Sequence, residues 1–215
     1  DQTIRDSTGS VWIGQREGRA KDSNDRTQSS GLKMLAIGGY HDNLIDNLME
    51  LNIVPVAISY EYDPCDYLKA KEFQQKRDNP DFVKSQRDDL LSMETGILRN
   101  KGRVHFTLTR PINELLSQVD RSLDKNAMVA AAANIIDQEI YKNYRFYPCN
   151  YVAYDLLMGT SRFQDHYGLK DKKHFEEYLQ GQVDKVDLEQ KDEEFLRSKI
   201  LEMYSNPLKN HLTAL

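Results

Sequence analysis

Runs and alternations of apolar residues predict three β-strands in the first half of the chain. Residues 11–14 form a short apolar run that is typical of a strand covered on both faces, and residues 53–60 show the strongest strand pattern of the chain. Residues 103–109 alternate between apolar and polar side chains, which predicts a half-buried edge strand. Pro55 has no backbone N–H to donate, so we expect it at the start of its strand or where the pairing is interrupted.

Apolar residues spaced three and four apart predict helices between these strands and through the second half of the chain. Two pairs, Asp63-Pro64 and Asn79-Pro80, should each begin a helix, with the first residue as its N-cap. Pro148 should begin another helix. The predicted helices cover residues 31–37, 43–51, 63–77, 79–100, 112–119, 126–144, a segment from 148 onward, and 171–204.

The order of these elements predicts an α/β protein in two parts. Residues 1–112 should form a small mixed sheet flanked by helices, and residues 113–215 an all-helical extension. Three strands make a thin sheet, and the chain begins at Asp1 and not at a methionine. We therefore expect a piece of a longer protein, with further strands of the sheet upstream.

The composition narrows the classes of partner. Charged residues make up 29% of the 215 residues and the formal net charge is −5, which argues against nucleic acid as the main partner. No apolar run approaches the roughly 20 residues that a membrane-spanning helix needs. Cys65 and Cys149 match no metal-binding spacing; a reduced, cytoplasmic setting is expected, and a single structural disulfide is the alternative.

A cation-rich loop follows the first predicted strand and precedes the first predicted helix. In α/β proteins, ligands bind beyond the carboxyl ends of strands, and the N-terminus of a helix attracts anions. Guanidinium groups suit phosphate especially well, so the loop predicts a site for a small phosphorylated molecule. The alternative is a solvated connection, and the glycine spacing does not match a P-loop. The cations are Arg16, Arg19, Lys21 and Arg26, and the acids between them are Glu17, Asp22 and Asp25.

Two short blocks resemble those of a known family. Glu17-Gly18-Arg19 is similar to the Glu-Gly-Thr-Arg-Ser or Glu-Gly-Gly-Arg-Ser block of the glycerolphosphate acyltransferases, with the arginine one place earlier. Residues 53–58, Ile-Val-Pro-Val-Ala-Ile, resemble the block that follows it in that family, in the same order and at a comparable separation. The resemblance implies the C-terminal part of an incomplete acyltransferase domain from a bacterial member. The substrate-binding residues that it implies are Arg16, Glu17, Gly18, Arg19, Lys21, Arg26 and Pro55.

The resemblance also implies a reaction, an O-acyl transfer in phospholipid biosynthesis. The hydroxyl of glycerol 3-phosphate or of a lysophosphatidate would attack an acyl thioester of CoA or acyl carrier protein, without a metal or further cofactor. The protein would be cytoplasmic and peripheral on the inner face of the cell membrane. The family's general base lies in a His-x4-Asp block before the Glu-Gly block, so we expect it upstream of this chain. His41 and Asp46 have this spacing but follow the Glu-Gly block, and they are an alternative catalytic pair.

Two other functions remain open at the level of sequence. In one, the α/β part is a non-catalytic scaffold and the helices after residue 112 bind a protein partner. In the other, the chain is an enzyme that binds a nucleotide or sugar phosphate, although it has no glycine-rich phosphate loop. A His-x4-Asp block upstream of Asp1 would favour the acyltransferase over both.

Overall fold

A computed structural model describes residues 9–15 and 20–215 of the chain. This part is mostly helical and contains two strands, β1 (Val56–Tyr60) and β2 (Val104–Leu108). None of its helices has the length and apolar character needed to cross a membrane. A 3-10 turn spans Gln164–His166, and the helices are α1 (Ser29–Ile37), α2 (Leu44–Glu50), α3 (Asp66–Asp78), α4 (Gln86–Leu98), α5 (Asn113–Ser117), α6 (Lys125–Lys142), α7 (Pro148–Met158), α8 (Leu169–Asp184) and α9 (Glu193–Thr213).

The strand predicted around Pro55 is confirmed, with the proline at its start. β1 begins at Val56, and the carbonyl of Pro55 accepts a hydrogen bond from Thr109 N at 3.1 Å. β1 and β2 pair antiparallel, with Ile58 opposite Phe106. The protein therefore contains both helix and sheet, as predicted, but the sheet of the described residues is a two-stranded antiparallel pair and not a mixed one.

The strand predicted at residues 11–14 is wrong. These residues form no strand, and Trp12 is 70% exposed. An extended run is stable only where a neighbour completes its backbone hydrogen bonds. Within the described residues, β1 and β2 pair only with each other, so this run has no strand partner.

β2 exposes the face that its pattern predicted to be buried. Phe106 is 54% exposed, whereas Thr107 lies opposite Ala57, which is 1% exposed and belongs to a hydrophobic core. Side chains alternate between the two faces of a strand. The side of the sheet that holds Ala57 and Thr107 is therefore the covered one, and the apolar face of β2 points to solvent.

Helix starts were predicted well except at the two Asx-Pro pairs and within residues 171–204. That segment was predicted as one helix, but it contains the end of α8 at Asp184 and a new start, capped by Asp192, for α9. α7 begins at Pro148 as expected, but α3 begins at Asp66, after a turn in which Asp63 Oδ1 accepts a hydrogen bond from Cys65 N at 2.9 Å. α4 begins after Ser85, which forms a reciprocal capping box with Asp88. The capping box satisfies two backbone donors at once, so it sets this helix start in place of Asn79-Pro80.

Two hydrophobic clusters hold the fold together. One joins α1, α2, β1, α5 and α6, and the other joins α3, α7, α8 and α9. The first contains Leu48 and Ala132, and the second contains Ala70 and Phe175, so both clusters use residues from each side of residue 112. Hydrophobic packing therefore crosses the predicted boundary at residue 112. The division into residues 1–112 and 113–215 stays a prediction.

Candidate functional site

A cavity of about 330 Å³ lies where β1, the start of α3, the end of α4, α7, α9 and the loop at residues 20–25 meet. Ile58, Ser59 and Tyr60 of β1 all line it. Successive side chains of a strand point to opposite faces, so the cavity runs along the edge of β1 and not over one face. Its volume lies near the lower end of the range of about 300–1,000 Å³ that is usual for small-molecule sites.

The lining of the cavity carries more positive than negative charge. Lys69 forms an ion pair with Asp63, so these two charges offset each other. Lys101 also lines the cavity, and its Nζ donates to the carbonyl of Arg99 at 3.2 Å, at the C-terminal end of α4. The remaining lining charges are Asp25 and Arg145.

Arg145 is held by its backbone and has an available guanidinium. Its N–H donates to Ser59 Oγ at 2.9 Å, which fixes the loop between α6 and α7 against β1. Its side chain is exposed, and among the described residues the guanidinium forms no hydrogen bond or ion pair. Arg145 is therefore the cation of the cavity that is best placed to bind an anionic ligand.

A buried carboxyl group supports the wall of the cavity. Asp66 Oδ2 accepts hydrogen bonds from Tyr178 OH at 2.7 Å and from Tyr204 OH at 2.8 Å, and Tyr204 lines the cavity. Asp66 Oδ1 accepts from Tyr67 N and from Gln182 Nε2, each at 2.6 Å. Burial raises the pKa of Asp66 to about 6, although the tyrosine hydroxyls act in the opposite direction. This network ties α3, α8 and α9 together behind the cavity.

The loop at residues 20–25 is anchored to the helices of the second half of the chain. Ala20 N donates to Asp25 Oδ1 at 3.0 Å, and Tyr141 OH donates to the carbonyl of Asp25 at 2.6 Å. Asn206 Nδ2 donates to the carbonyl of Asp22 at 2.8 Å. Because α6 and α9 supply these donors, they set where the loop meets the cavity.

The predicted substrate-binding residues fall into two groups. Arg16, Glu17, Gly18 and Arg19 lie outside the described residues. Lys21 forms an ion pair with Glu72 on α3, Arg26 is exposed, and Pro55 is buried directly before β1; none of these three lines the cavity. Among the described residues, sequence neighbours of the predicted site, such as Ala20 and Ile58, therefore line the cavity, whereas Lys21, Arg26 and Pro55 do not.

His41 and Asp46, the alternative catalytic pair, bond to different partners. His41 Nε2 lies 2.8 Å from Glu50 Oε1, and Asp46 Oδ1 lies 3.2 Å from Arg121 Nη2. Neither side chain lines the cavity. The geometry therefore does not unite them as a base and its orienting carboxylate.

Sequence reasoning missed the residues that the cavity gathers from distant segments. Lys101, Arg145 and Tyr204 come from a helix end, a loop and the last helix, with no shared spacing. The only local signal was Ser59, which directly follows the second acyltransferase-like block. Among the described residues, no group of three or more histidine, cysteine or acidic side chains is arranged to hold a metal ion.

Comparisons with known proteins identified no similar protein. No protein-family model matches the chain, and no match was found among the curated proteins or among the solved structures.

Proposed function

We propose that this chain is the acceptor-binding part of a glycerolphosphate acyltransferase. In this reaction the hydroxyl of glycerol 3-phosphate, or of a lysophosphatidate, attacks the acyl carbon of a CoA or acyl-carrier-protein thioester. The oxygen gains the acyl group, the thiol leaves, and the hydroxyl proton passes to a general base. We expect that base in a His-x4-Asp block outside this chain, so the residues described here bind and orient the acceptor.

The observation that carries the proposal is that the two acyltransferase-like blocks both lead to one cavity. Ala20 directly follows Glu17-Gly18-Arg19, Ile58 ends the second block, and both line the cavity. Segments so far apart in sequence border the same cavity only because the fold brings them together. A shared substrate site requires this arrangement.

The chemistry of the cavity favours glycerol 3-phosphate as the acceptor. Arg145 offers a planar donor pair for phosphate, and Ser59, which carries a hydroxyl group, belongs to the same lining. A volume of about 330 Å³ accommodates a molecule the size of glycerol 3-phosphate. The acyl chain of a lysophosphatidate would have to extend out of it.

The test is direct binding of the acceptor to the 215-residue chain, followed by nuclear magnetic resonance of labelled protein. Glycerol 3-phosphate should shift the amide signals of Ser59 and Arg145, and glycerol should not. Arg145→Ala should raise the Kd about tenfold, because a charge-assisted hydrogen bond contributes about 1.5–3 kcal/mol. Lys125→Ala, an exposed cation outside the cavity, is the matched control and should leave the Kd unchanged. Equal shifts with glycerol, or an unchanged Kd in Arg145→Ala, would contradict the proposal.

We also propose that the outer face of the sheet meets an anionic membrane surface. The register places Val56 opposite Leu108, Ile58 opposite Phe106, and Tyr60 opposite Val104, so six large apolar residues share one face. Leu108 is 70% exposed. An exposed apolar face of this kind marks an interaction surface.

The charges around this face favour a lipid surface over a second copy of the chain. Residues 95–113 contain four cations and no acidic residue. Arg103 is paired with Glu61, which leaves Arg99, Lys101 and Arg110 as the cations without an acidic partner. These cations would repel the same face of another molecule, whereas they attract anionic headgroups. Apolar side chains flanked by cations are typical of proteins that lie on a bilayer.

A further inference from the structure

One carboxylate of the helical second half of the chain binds both ends of the cation-rich loop. Gln15 and Thr27 flank residues 16–26, and both donate to Asp137 on α6. Asp137 Oδ1 accepts hydrogen bonds from Gln15 Nε2 at 2.8 Å, from Thr27 N at 2.8 Å and from Thr27 Oγ1 at 2.6 Å. A single oxygen atom thus receives three donors from the two ends of one loop.

The two ends of the loop also bond to each other. Gln28 N donates to the carbonyl of Gln15 at 3.1 Å, and Gln15 Nε2 donates to Thr27 Oγ1 at 3.1 Å. The loop is therefore closed at its base, and Asp137 fixes that base to α6. Fixing Thr27 in this way reduces the number of conformations open to the described loop residues 20–26.

The helix that carries Asp137 is itself held firmly. Ile136, Ile140 and Tyr141, its neighbours on α6, are each about 6–7% exposed, and all three belong to a hydrophobic core. A functional side chain is most precisely placed when it lies on a packed element with its bonds satisfied. Asp137 lies on such an element, and its Oδ1 receives three hydrogen bonds.

We propose that Asp137 is a positioning residue for the acceptor site. It acts through the loop, whose residues Ala20, Ser23 and Asp25 line the cavity, and it does not touch the acceptor itself. This inference rests on the proposed acyl transfer. It assigns a role to the helical second half of the chain: α6 sets the position of the loop residues 20–25 that border the cavity.

Three variants separate this role from a general loss of stability. Asp137→Ala removes the accepting oxygen. Asp137→Asn retains an Oδ1 that can accept from the same donors, so it should rescue the geometry. Asn134→Ala, an exposed position one turn earlier on α6, is the matched control for a change on this helix.

The first measurement is amide hydrogen exchange in the chain, which needs no activity. The Thr27 and Ala20 amides should exchange at least about tenfold faster in Asp137→Ala, because both are protected only while the loop is ordered. They should exchange as in the wild type in Asp137→Asn and Asn134→Ala. Unchanged exchange in Asp137→Ala would overturn the proposal.

The second measurement is steady-state acyl transfer by the complete protein. Asp137→Ala should raise the KM for glycerol 3-phosphate about tenfold, with kcat and the KM for the acyl thioester within about twofold of the wild type. Asp137→Asn should restore most of the acceptor KM. A wild type without acyl transfer would refute the proposed function, whereas faster exchange with an unchanged acceptor KM would refute the positioning role alone.

Discussion

Replacing Asp66 with asparagine should change how the stability of the protein depends on pH. Asp66 is fully buried, and burial raises the pKa of its carboxyl group from 3.8 to about 6. A carboxyl group with a raised pKa binds its proton more tightly in the folded state than in the unfolded chain. Its contribution to stability is therefore present below about pH 4 and is lost as the pH rises through about 6.

The size of this effect follows from the change in pKa. A rise from 3.8 to about 6 corresponds to about 3 kcal/mol, since each pKa unit is worth about 1.4 kcal/mol. Asparagine does not ionise, so the variant lacks this term. We expect the free energy of unfolding of the wild type, relative to Asp66→Asn, to fall by about 2–3 kcal/mol between about pH 3.5 and pH 7.

Urea unfolding of both proteins across this pH range measures the difference directly. Subtracting the unfolding free energy of Asp66→Asn from that of the wild type at each pH removes the contributions of all other titrating groups. The pH dependence of this difference can therefore be read whatever the absolute stability of the variant. Asp187→Asn, at an exposed position, should give a curve parallel to that of the wild type. A difference between wild type and Asp66→Asn that stays constant with pH would mean that the hydroxyl donors balance burial, and one that grows in favour of the wild type as the pH rises would mean that they outweigh it; either result would refute the reasoning.

Two further predictions concern the surface and the thiols. The chain should float with vesicles that contain phosphatidylglycerol and not with vesicles of pure phosphatidylcholine. Phe106→Ser should abolish this flotation, whereas Met34→Ser, at another exposed apolar position, should not. Concentration-dependent dimerisation that Phe106→Ser abolishes would instead assign the outer face of the sheet to contact with a second copy of the chain. Cys65 and Cys149 are buried and form no disulfide, and burial raises the pKa of the Cys149 thiol to about 12. Ellman's reagent should therefore react with Cys149 only after unfolding in guanidinium, and rapid labelling of Cys149 in the native protein would contradict its buried environment.

Local signals in the sequence predicted most of the helices. The spacing of apolar residues located α1, α2 and α6 within a few residues, and Pro148 marked the start of α7. These signals succeed because helix formation depends on near neighbours. They failed at the start of α4, where the Ser85–Asp88 capping box competes with Asn79-Pro80, since both are valid local start signals and packing selects between them.

Strand predictions depended on information that the local pattern lacks. Residues 11–14 and 53–60 are both apolar runs, yet only the second pairs, because pairing needs a partner strand and β2 supplies one to β1. The alternation in β2 was read correctly, but its burial was assigned to the wrong face. Which face of a strand is covered depends on where the helices pack, and for β1 and β2 they cover the side of Ala57.

By itself, the sequence determined the positions of most helices and the strand after Pro55, and it supplied the two blocks on which the proposed acceptor site rests. Only the tertiary structure decided that the flanks of these blocks share a cavity with Arg145 and Tyr204. Only the tertiary structure decided that Asp137 closes the base of the loop, from a position 110 residues away from Thr27. The physical reason is that such hydrogen bonds join residues whose proximity is created by packing of the hydrophobic cores, and no local spacing along the chain encodes that proximity.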